Sequence, residues 1–297
     1  MNTATISPLR QRMIEDMSLR EFALRTQEAY IRCCKKLTVF LKRSPDTATA
    51  EDIRLFQLHL AEVGVSICSR NRTMTGVRFL FGVTLRRPDI ADQIQYIREP
   101  QKIPLVLSPE EVKRLLTAAK RLKARVLLSL AYGCGLRAAE VVSLKVSDID
   151  SAQMVIRIEQ AKGRKDRCVM LSADLLRLLR QWWKAARPQG WLFPGVDPIK
   201  PMTTRQLNRH FHEAAAAAGI KSGATLHTLR HSFATHLLED KVDIRIIQAL
   251  LGHDKLDTTA HYTRVATAMI AKIVSPLDQL GKQNRKSKRG KKDEPPK

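Results

Sequence analysis

The stretch "AYGCGLRAAEVVSLKVSDI", residues 131–149, decides how the second half of the chain is organised. Gly133 and Gly135 are helix-stop residues, so a preceding helix should end near Tyr132 and a new amphipathic helix should begin shortly afterwards. Arg137 is therefore predicted at a helix N-terminus, where free N–H groups and the helix dipole favour an anion. Its guanidinium suits a phosphate, although a plain surface arginine near a helix start is the simpler alternative.

The stretch "TLHTLRHSFATHLLED", residues 225–240, predicts a helix with two chemically different faces. At 100° per residue one apolar stripe faces the core, made of Leu229, Phe233 and Leu237. The other side carries His227, Arg230 and His231. His227 and Arg230 are three positions apart, so they can contact one group together. His236 lies beside the apolar stripe and is predicted to be a packed histidine.

A third stretch, "DIRIIQALLGHDKLDTTAHYTRV", spans residues 243–265. Asp243 can cap a short helix that ends at Gly252, so His253 should emerge just after the helix. Tyr262 follows nine residues later among Thr, His and Arg, a polar setting that is uncommon for a core tyrosine. By itself an exposed tyrosine would indicate nothing about chemistry.

The clear β-signal is "MVIRIEQAKGRKDRCVML", residues 154–171. Apolar and polar residues alternate on both sides of "KGRK", as they do in a hairpin. The sequence therefore predicts an antiparallel hairpin with Lys162 to Lys165 at or beside its turn.

The chain is predicted to be mainly helical and to have two domains. Residues 1–90 should form a small all-helical module, with one helix after Thr26 as N-cap, another within 44–64 and a third over about 72–85. Residues 91–105 carry prolines without sustained periodicity and are predicted to be a linker.

The second domain is predicted over 106–280. Ser108 as N-cap, Pro109 at the first helical position and Glu111 three residues after the cap form a capping box at its start. The Lys/Arg-rich end, residues 281–297, is predicted to be a disordered tail.

The charge of the chain points to a polyanionic partner. The 297 residues include 52 Lys and Arg against 29 Asp and Glu, a net charge of +23. Nucleic acid is the commonest partner for such a charge, and an anionic membrane surface is the rival. There is no run of about eighteen apolar residues and no signal-peptide pattern, so a cytoplasmic location is expected.

No metal or cofactor is expected. The five cysteines form no C-x-x-C pair and no zinc spacing. His227 and His231 have a spacing that can ligate zinc, but the glutamate of H-E-x-x-H and an obvious third ligand are missing. There is no phosphate-binding G-x-x-x-x-G-K-[ST] loop and no spaced Asp/Glu cluster for Mg²⁺ beside these groups.

The basic groups singled out suit chemistry at a phosphodiester. Charge on the non-bridging oxygens must be neutralised, a nucleophile must lose a proton, and the leaving 5′ oxygen must gain one. Two arginines, several histidines, a hairpin lysine and a tyrosine supply such groups without a metal.

Three motifs in order resemble those of the tyrosine recombinases of the phage integrase family, of the Xer and integron-integrase kind. "GLRAAEVVSL" is similar to the first arginine motif, "HTLRHSFATHL" to the H-x-x-R-H motif and "LGHDKLDTTAHYT" to the last box. The resemblance is strong over roughly 104–276 and weaker in the helical N-terminal region. It implies an N-terminal core-binding bundle of the four-helix, SAM-like type and a C-terminal catalytic domain.

The resemblance also implies a role for each matching position. Tyr262 would attack the scissile phosphate to form a 3′-phosphotyrosyl link, and Arg137 and Arg230 would clamp the phosphate oxygens. Lys162 would protonate the leaving oxygen, although Lys165 lies on the same turn and Ala161 replaces the first glycine of the family's G-K-G pattern.

His227 would assist proton transfer and His253 would support the phosphate. The implied partner is double-stranded DNA, bound as a homotetramer on two recombination sites, with no membrane involved. Two other functions stay open: a type IB topoisomerase, which relaxes DNA with a closely similar residue set, and a basic DNA-binding protein on the same fold that does not cleave.

Overall fold

The computed structural model describes residues 6–99, 104–161 and 165–252, together with residues 275 and 277. Two compact units are present, Met1–Lys102 and Ile103–Lys297. The predicted boundaries at 90 and 106, with a linker between them, stay a prediction. The predicted disordered tail, 281–297, lies outside the described residues.

The first unit is built from helices, as the sequence predicts. Its elements are α1 (Pro8–Leu19), α2 (Leu24–Leu41), α3 (Ala50–Glu62), α4 (Ile67–Phe79) and α5 (Pro88–Ala91), with a π-helical turn (Leu80–Thr84) extending α4. Helices α2 and α4 pack so closely at Gly76 that a Cβ on this residue would lie only 2.8 Å from the Cβ of Cys33. Buried side chains of α2 and α4, such as Leu37 and Val77, contribute to the core of this unit.

Two helix starts in this unit differ from the prediction. Thr26 is not the N-cap of α2, since the helix begins at Leu24 and the N-cap is Ala23, which makes no side-chain cap. The third predicted helix begins at Ile67 rather than near residue 72, because the Ser66 hydroxyl accepts the N–H of Ser69 and caps it earlier.

The second unit combines helices with one small sheet. Its helices are α6 (Pro109–Ala118), α7 (Leu122–Gly133), α8 (Ala138–Val142), α9 (Ala173–Ala186), α10 (Thr204–Ala217), α11 (Leu226–Glu239) and α12 (Ile244–Leu251). Its strands are β1 (Ile149–Asp150), β2 (Val155–Ala161) and β3 (Lys165–Met170). The predicted capping box at Ser108 and Glu111 begins α6.

The sheet is antiparallel throughout, in the order β1-β2-β3. Strands β2 and β3 are the two arms of the predicted hairpin, while β1 was not predicted. The register runs from Val155 opposite Met170 to Ala161 opposite Lys165, with an irregularity between Ile158 and Ala161. The predicted fold class, mainly α with a small antiparallel sheet, is confirmed.

Glycines lie at the ends of two helices of this unit, α7 and α12. Helix α7 ends at Gly133, and Gly135 follows with φ +61°. A Cβ on Gly135 would lie 2.5 Å from the ring of Phe233, so only glycine lets α11 approach this loop so closely. Gly252, with φ +62°, ends α12 as predicted, and Asp243 caps its start.

The predicted apolar stripe of α11 is confirmed, since Leu229, Phe233 and Leu237 are fully buried. Within the described ranges, the helices are too short or too polar to cross a membrane.

Candidate active site

Arg137 is the N-cap of α8, as the two glycines before it predict. Three residues later, the Glu140 carboxylate accepts the Arg137 backbone N–H at 2.8 Å. Because an arginine side chain has no acceptor, it cannot complete the other half of a capping box. The guanidinium instead donates to Glu140 Oε1 at 2.9 Å and to the carbonyl of Gly252 at 3.2 Å. A quarter of the Arg137 side chain stays exposed.

Arg230 lies on α11 and is much more buried than Arg137, with a side chain that is 3% exposed. Its guanidinium donates to the carbonyl of Gly135 at 2.7 Å and to the carbonyl of Leu251. It also lies 3.8 Å from Glu140 Oε2. The structure thus brings together the two arginines that the sequence singled out separately.

Sequence reasoning missed two residues of this cluster, Glu140 and Arg167. Arg167 lies on β3 and donates both terminal nitrogens to the Glu140 carboxylate, at 2.9 and 2.8 Å. Its Nε donates to the carbonyl of Leu250 at 2.8 Å. The spacing of Glu140, three residues after a predicted helix start, was an available signal for it. Arg167 gave none, because its partners are far away in the sequence.

The four charged side chains form an electrostatic unit. Burial alone would raise the pKa of Glu140, but hydrogen bonds and charge from Arg167 and Arg137 outweigh it and lower the pKa to about 2. Burial and the neighbouring charge of Arg137 lower the pKa of Arg230 to about 10, which leaves it protonated at neutral pH. Three guanidinium charges against one carboxylate leave these side chains with an excess of two positive charges.

The C-terminal end of α12 completes the cluster. Three successive carbonyls, those of Leu250, Leu251 and Gly252, each accept a hydrogen bond from a different arginine, Arg167, Arg230 and Arg137 respectively. The last carbonyls of a helix lack intrahelical partners and carry partial negative charge, so cations are stabilised there. The arginines therefore fix the point at which the chain leaves α12 toward His253.

The histidines of α11 take different positions. His227 is exposed and His231 is half-buried, and their rings meet edge to face at 4.4 Å between centroids. Burial and the charge of Arg230 lower the pKa of His231. His236 is buried and its Nδ1 lies 2.9 Å from the hydroxyl of Tyr132, which confirms it as a packed histidine.

Within the described ranges, no three His, Cys, Asp or Glu side chains lie together so that they could hold a metal ion. Lys162, His253 and Tyr262 lie outside the described residues. The residues that flank Lys162 and the residue before His253 are described: Ala161 and Lys165 pair on the two arms of the hairpin, and Gly252 ends α12. Farther along the chain, the Ser275 hydroxyl donates to the carbonyl of Gly133 at 3.2 Å.

Comparison with known families accounts for both units. Residues 106–269 match the phage integrase family, and residues 9–90 match the SAM-like N-terminal domain of phage integrases. The chain belongs to the phage integrase family. This family match confirms the resemblance inferred from the three motifs, including the weaker resemblance in the helical N-terminal region.

Two relatives extend over nearly the whole of this phage integrase-family chain. A putative integrase/recombinase of Sinorhizobium fredii is 43% identical over 93% of this chain and 90% of its own length. The tyrosine recombinase XerD of Rhizobium meliloti is 32% identical over 90% of this chain and 93% of its own. The predicted function of this family member, site-specific DNA recombination as a tyrosine recombinase, is confirmed.

One solved structure shows the same fold at low sequence identity. A lambda integrase tetramer bound to a Holliday junction superposes with a TM-score of 0.69, covering 84% of this chain and 79% of that one at 18% identity. The fold of a phage integrase is thus shared although most side chains differ.

Proposed function

We propose that this recombinase cuts and rejoins double-stranded DNA through a 3′-phosphotyrosyl bond to Tyr262, without metal or ATP. The observation that carries the proposal is the buried excess of positive charge around Arg137 and Arg230. These two arginines meet at the end of α12, ten residues before Tyr262 in the sequence. A buried charge of this kind is costly unless an anion offsets it, and a DNA phosphate is such an anion.

Arg137 and Arg230 would neutralise the charge that develops on the non-bridging oxygens during attack. Donors held in place before the reaction cost no reorganisation, and this is the largest catalytic effect available to a site without a metal. Arg137 is the more accessible of the two, so it is suited to reach the phosphate first. Arg230 is held almost completely out of water, where its charge acts more strongly.

The proposed reaction is an exchange of one phosphodiester for another. The Tyr262 oxygen attacks the phosphorus, the bond to the 5′ oxygen breaks, and His227 assists removal of the tyrosine proton. Lys162 gives a proton to the leaving 5′ oxygen, and His253 supports the phosphate. A 5′ hydroxyl of another strand then attacks the phosphotyrosine and releases Tyr262, so the bond energy is kept and ATP is not required.

The partner proposed for this chain is double-stranded DNA, bound as a homotetramer on two recombination sites. The net charge of +23 supports a polyanionic partner. The lambda integrase of similar fold is a tetramer on a Holliday junction, which supports the stoichiometry. A cytoplasmic location follows from this partner and stays a prediction.

The test is the capture of a covalent adduct. The wild-type protein is incubated with a pool of nicked duplexes of random sequence, from which a cut strand dissociates and cannot be rejoined. Adducts that survive SDS are isolated, their DNA is sequenced, and the modified peptide is mapped by mass spectrometry. We expect the peptide to contain Tyr262, and the recovered duplex then serves in all further assays.

Tyr262→Phe should bind the recovered duplex with unchanged affinity and form no adduct. Tyr96→Phe is the matched control, since Tyr96 is exposed in the first unit, and it should cleave at the wild-type rate. Absence of any adduct with the wild type, or an adduct on another tyrosine, would contradict the proposal. Relaxation of a plasmid that carries the recovered site, without exchange between two such sites, would indicate a topoisomerase.

A further inference from the structure

Arg167 lies where three parts of the candidate site meet. It is on β3, five residues after Lys162 in the sequence, and its side chain is 8% exposed. Its two terminal nitrogens bind Glu140 near the start of α8, and its Nε binds Leu250 at the end of α12. One guanidinium thus connects the hairpin, the segment that carries Arg137 and the helix that precedes His253.

Glu140 links Arg167 to Arg137, because it accepts hydrogen bonds from both. The Glu140 oxygens that accept from Arg167 also accept the backbone N–H and the guanidinium of Arg137, at 2.8 and 2.9 Å. A carboxylate held from one side by Arg167 is therefore fixed for its second partner. The hydrogen bonds from Arg167 orient the Glu140 carboxylate, and that carboxylate in turn orients the guanidinium of Arg137.

The end of α12 is fitted to the same guanidinium. A Cβ on Gly252 would lie 3.1 Å from Cδ of Arg167 and 3.2 Å from its terminal nitrogen. Gly252 has φ +62°, a backbone conformation that favours glycine for a second reason. The chain thus turns out of α12 in direct contact with Arg167.

We propose that Arg167 is a positioning residue for DNA cleavage, which holds β3, the start of α8 with Arg137 and the end of α12 in fixed positions relative to one another. This inference rests on the proposed function. Each of the three guanidinium nitrogens of Arg167 binds Glu140 or Leu250, so its contacts join two other segments of the protein to β3.

Lysine could not replace arginine in this role. The guanidinium is planar and presents several N–H groups in fixed directions, which match two carboxylate oxygens and one carbonyl at the same time. An ammonium group keeps the charge but acts as a point, so it cannot fix the three partners together. Arg167→Lys therefore separates charge from positioning.

The decisive experiment compares Arg167→Lys with the wild type on the recovered duplex. Single-turnover cleavage at saturating protein should be slower by about 100-fold, the effect expected of a small misplacement of reacting groups. The dissociation constant for DNA should change by less than about twofold, since no phosphate contact is lost. Arg157→Lys is the control. Arg157 lies on β2, opposite Cys168 of β3, and it also binds an aspartate, Asp150, but its side chain is 59% exposed. The Arg157→Lys variant should cleave DNA at the wild-type rate.

The pH dependence separates a positioning role from general loss of packing. Glu140 faces Arg137, Arg167 and Arg230, and His231 and the neutral thiol of Cys134 lie beside those arginines. Removing Arg167 takes away the main group that lowers the pKa of Glu140. In Arg167→Met the rate of cleavage should therefore fall at a higher pH on acidification than in the wild type.

A double variant, Glu140→Gln with Arg167→Met, distinguishes a loss of positioning from a failure to fold. It removes one charge of each sign, and such replacements of buried pairs are often tolerated. We expect it to fold, to bind DNA, to cleave slowly and to lack the acid shift of Arg167→Met. Wild-type cleavage by the double variant or by Arg167→Lys would overturn the positioning role alone. No adduct with the wild type would overturn the proposed function as well.

Discussion

Both units contain a helix whose third residue is an acid that accepts the N-cap N–H, Asp52 in the first unit and Glu140 in the second. The two hydrogen bonds have the same length, 2.8 Å. Asp52 is paired with a Thr49 cap and an exposed Arg43, and its side chain is 23% exposed. Glu140 is paired with three arginines and is 8% exposed.

The same acid position at the start of a helix therefore has two roles, capping the helix in the first unit and binding arginines in the second. At Asp52 the capping box is complete, and its benefit goes to the stability of α3. At the start of α8 the cap position is occupied by Arg137, which cannot cap, so the carboxylate serves to hold cations in place. Helix α8 thus keeps the hydrogen bond between its third residue and the N-cap N–H, while its N-cap side chain, Arg137, is available for the proposed chemistry.

The largest expected effect comes from removing each acid in turn. Glu140→Ala leaves two buried arginines and the partly exposed Arg137 without their carboxylate and should lower the free energy of unfolding by about 3–5 kcal/mol. Asp52→Ala removes half of an exposed cap and should cost about 1 kcal/mol. Urea unfolding followed by tryptophan fluorescence reports on the second unit, because Trp182, Trp183 and Trp191 all lie there. Far-UV circular dichroism follows both units. If the two variants lost the same free energy of unfolding, Glu140 would act as an ordinary helix cap like Asp52.

Acid should weaken the second unit through Glu140. Its pKa is about 2 in the folded state against 4.5 ordinarily, so on acidification the unfolded chain takes up the proton first. The stabilisation is complete above about pH 5 and is lost as the pH falls toward 2, an effect of about 3 kcal/mol. The difference in unfolding free energy between wild type and Glu140→Gln should shrink by that amount over this range. If it stays constant with pH, the ion pairs of Glu140 do not stabilise the fold.

Two glycines with similar backbone angles sharpen the comparison further. Gly135 in the second unit has φ +61° and would place a Cβ 2.5 Å from Phe233, whereas Gly64 in the first has φ +71° and open space around it. Gly64→Ala should cost about 1 kcal/mol for backbone strain alone. Gly135→Ala should cost about 2 kcal/mol more, because the ring of Phe233 must move. Thermal unfolding of both variants measures this, and similar costs would mean that the loop beside Arg137 is loosely packed.

Much of the fold followed from local signals in the sequence. Gly133 and Gly135 predicted the break before Arg137, and Asp243 and Gly252 predicted both ends of α12. The start of α2 did not follow, because Thr26 looks like a cap while the helix begins two residues before it, at Leu24. No side chain at Ala23 marks that start.

The candidate site could be predicted only where its residues carry a local pattern. Arg137 and Arg230 stand in recognisable motifs, and Glu140 stands at a capping distance from Arg137. Arg167 could not be found in this way, since it lies in a strand and belongs to no helix cap or motif that the sequence singled out. Its partners Glu140 and Leu250 are 27 and 83 residues away, and only folding brings them together.

The end of α12 affects the charge balance of the arginine cluster. Its three carbonyls present a partial negative charge of about half a unit to the arginines. They offset part of the positive charge and so lessen the cost of keeping the cluster ionised. The charge that they leave unbalanced is what the proposed DNA phosphate would neutralise while the arginines stay in place.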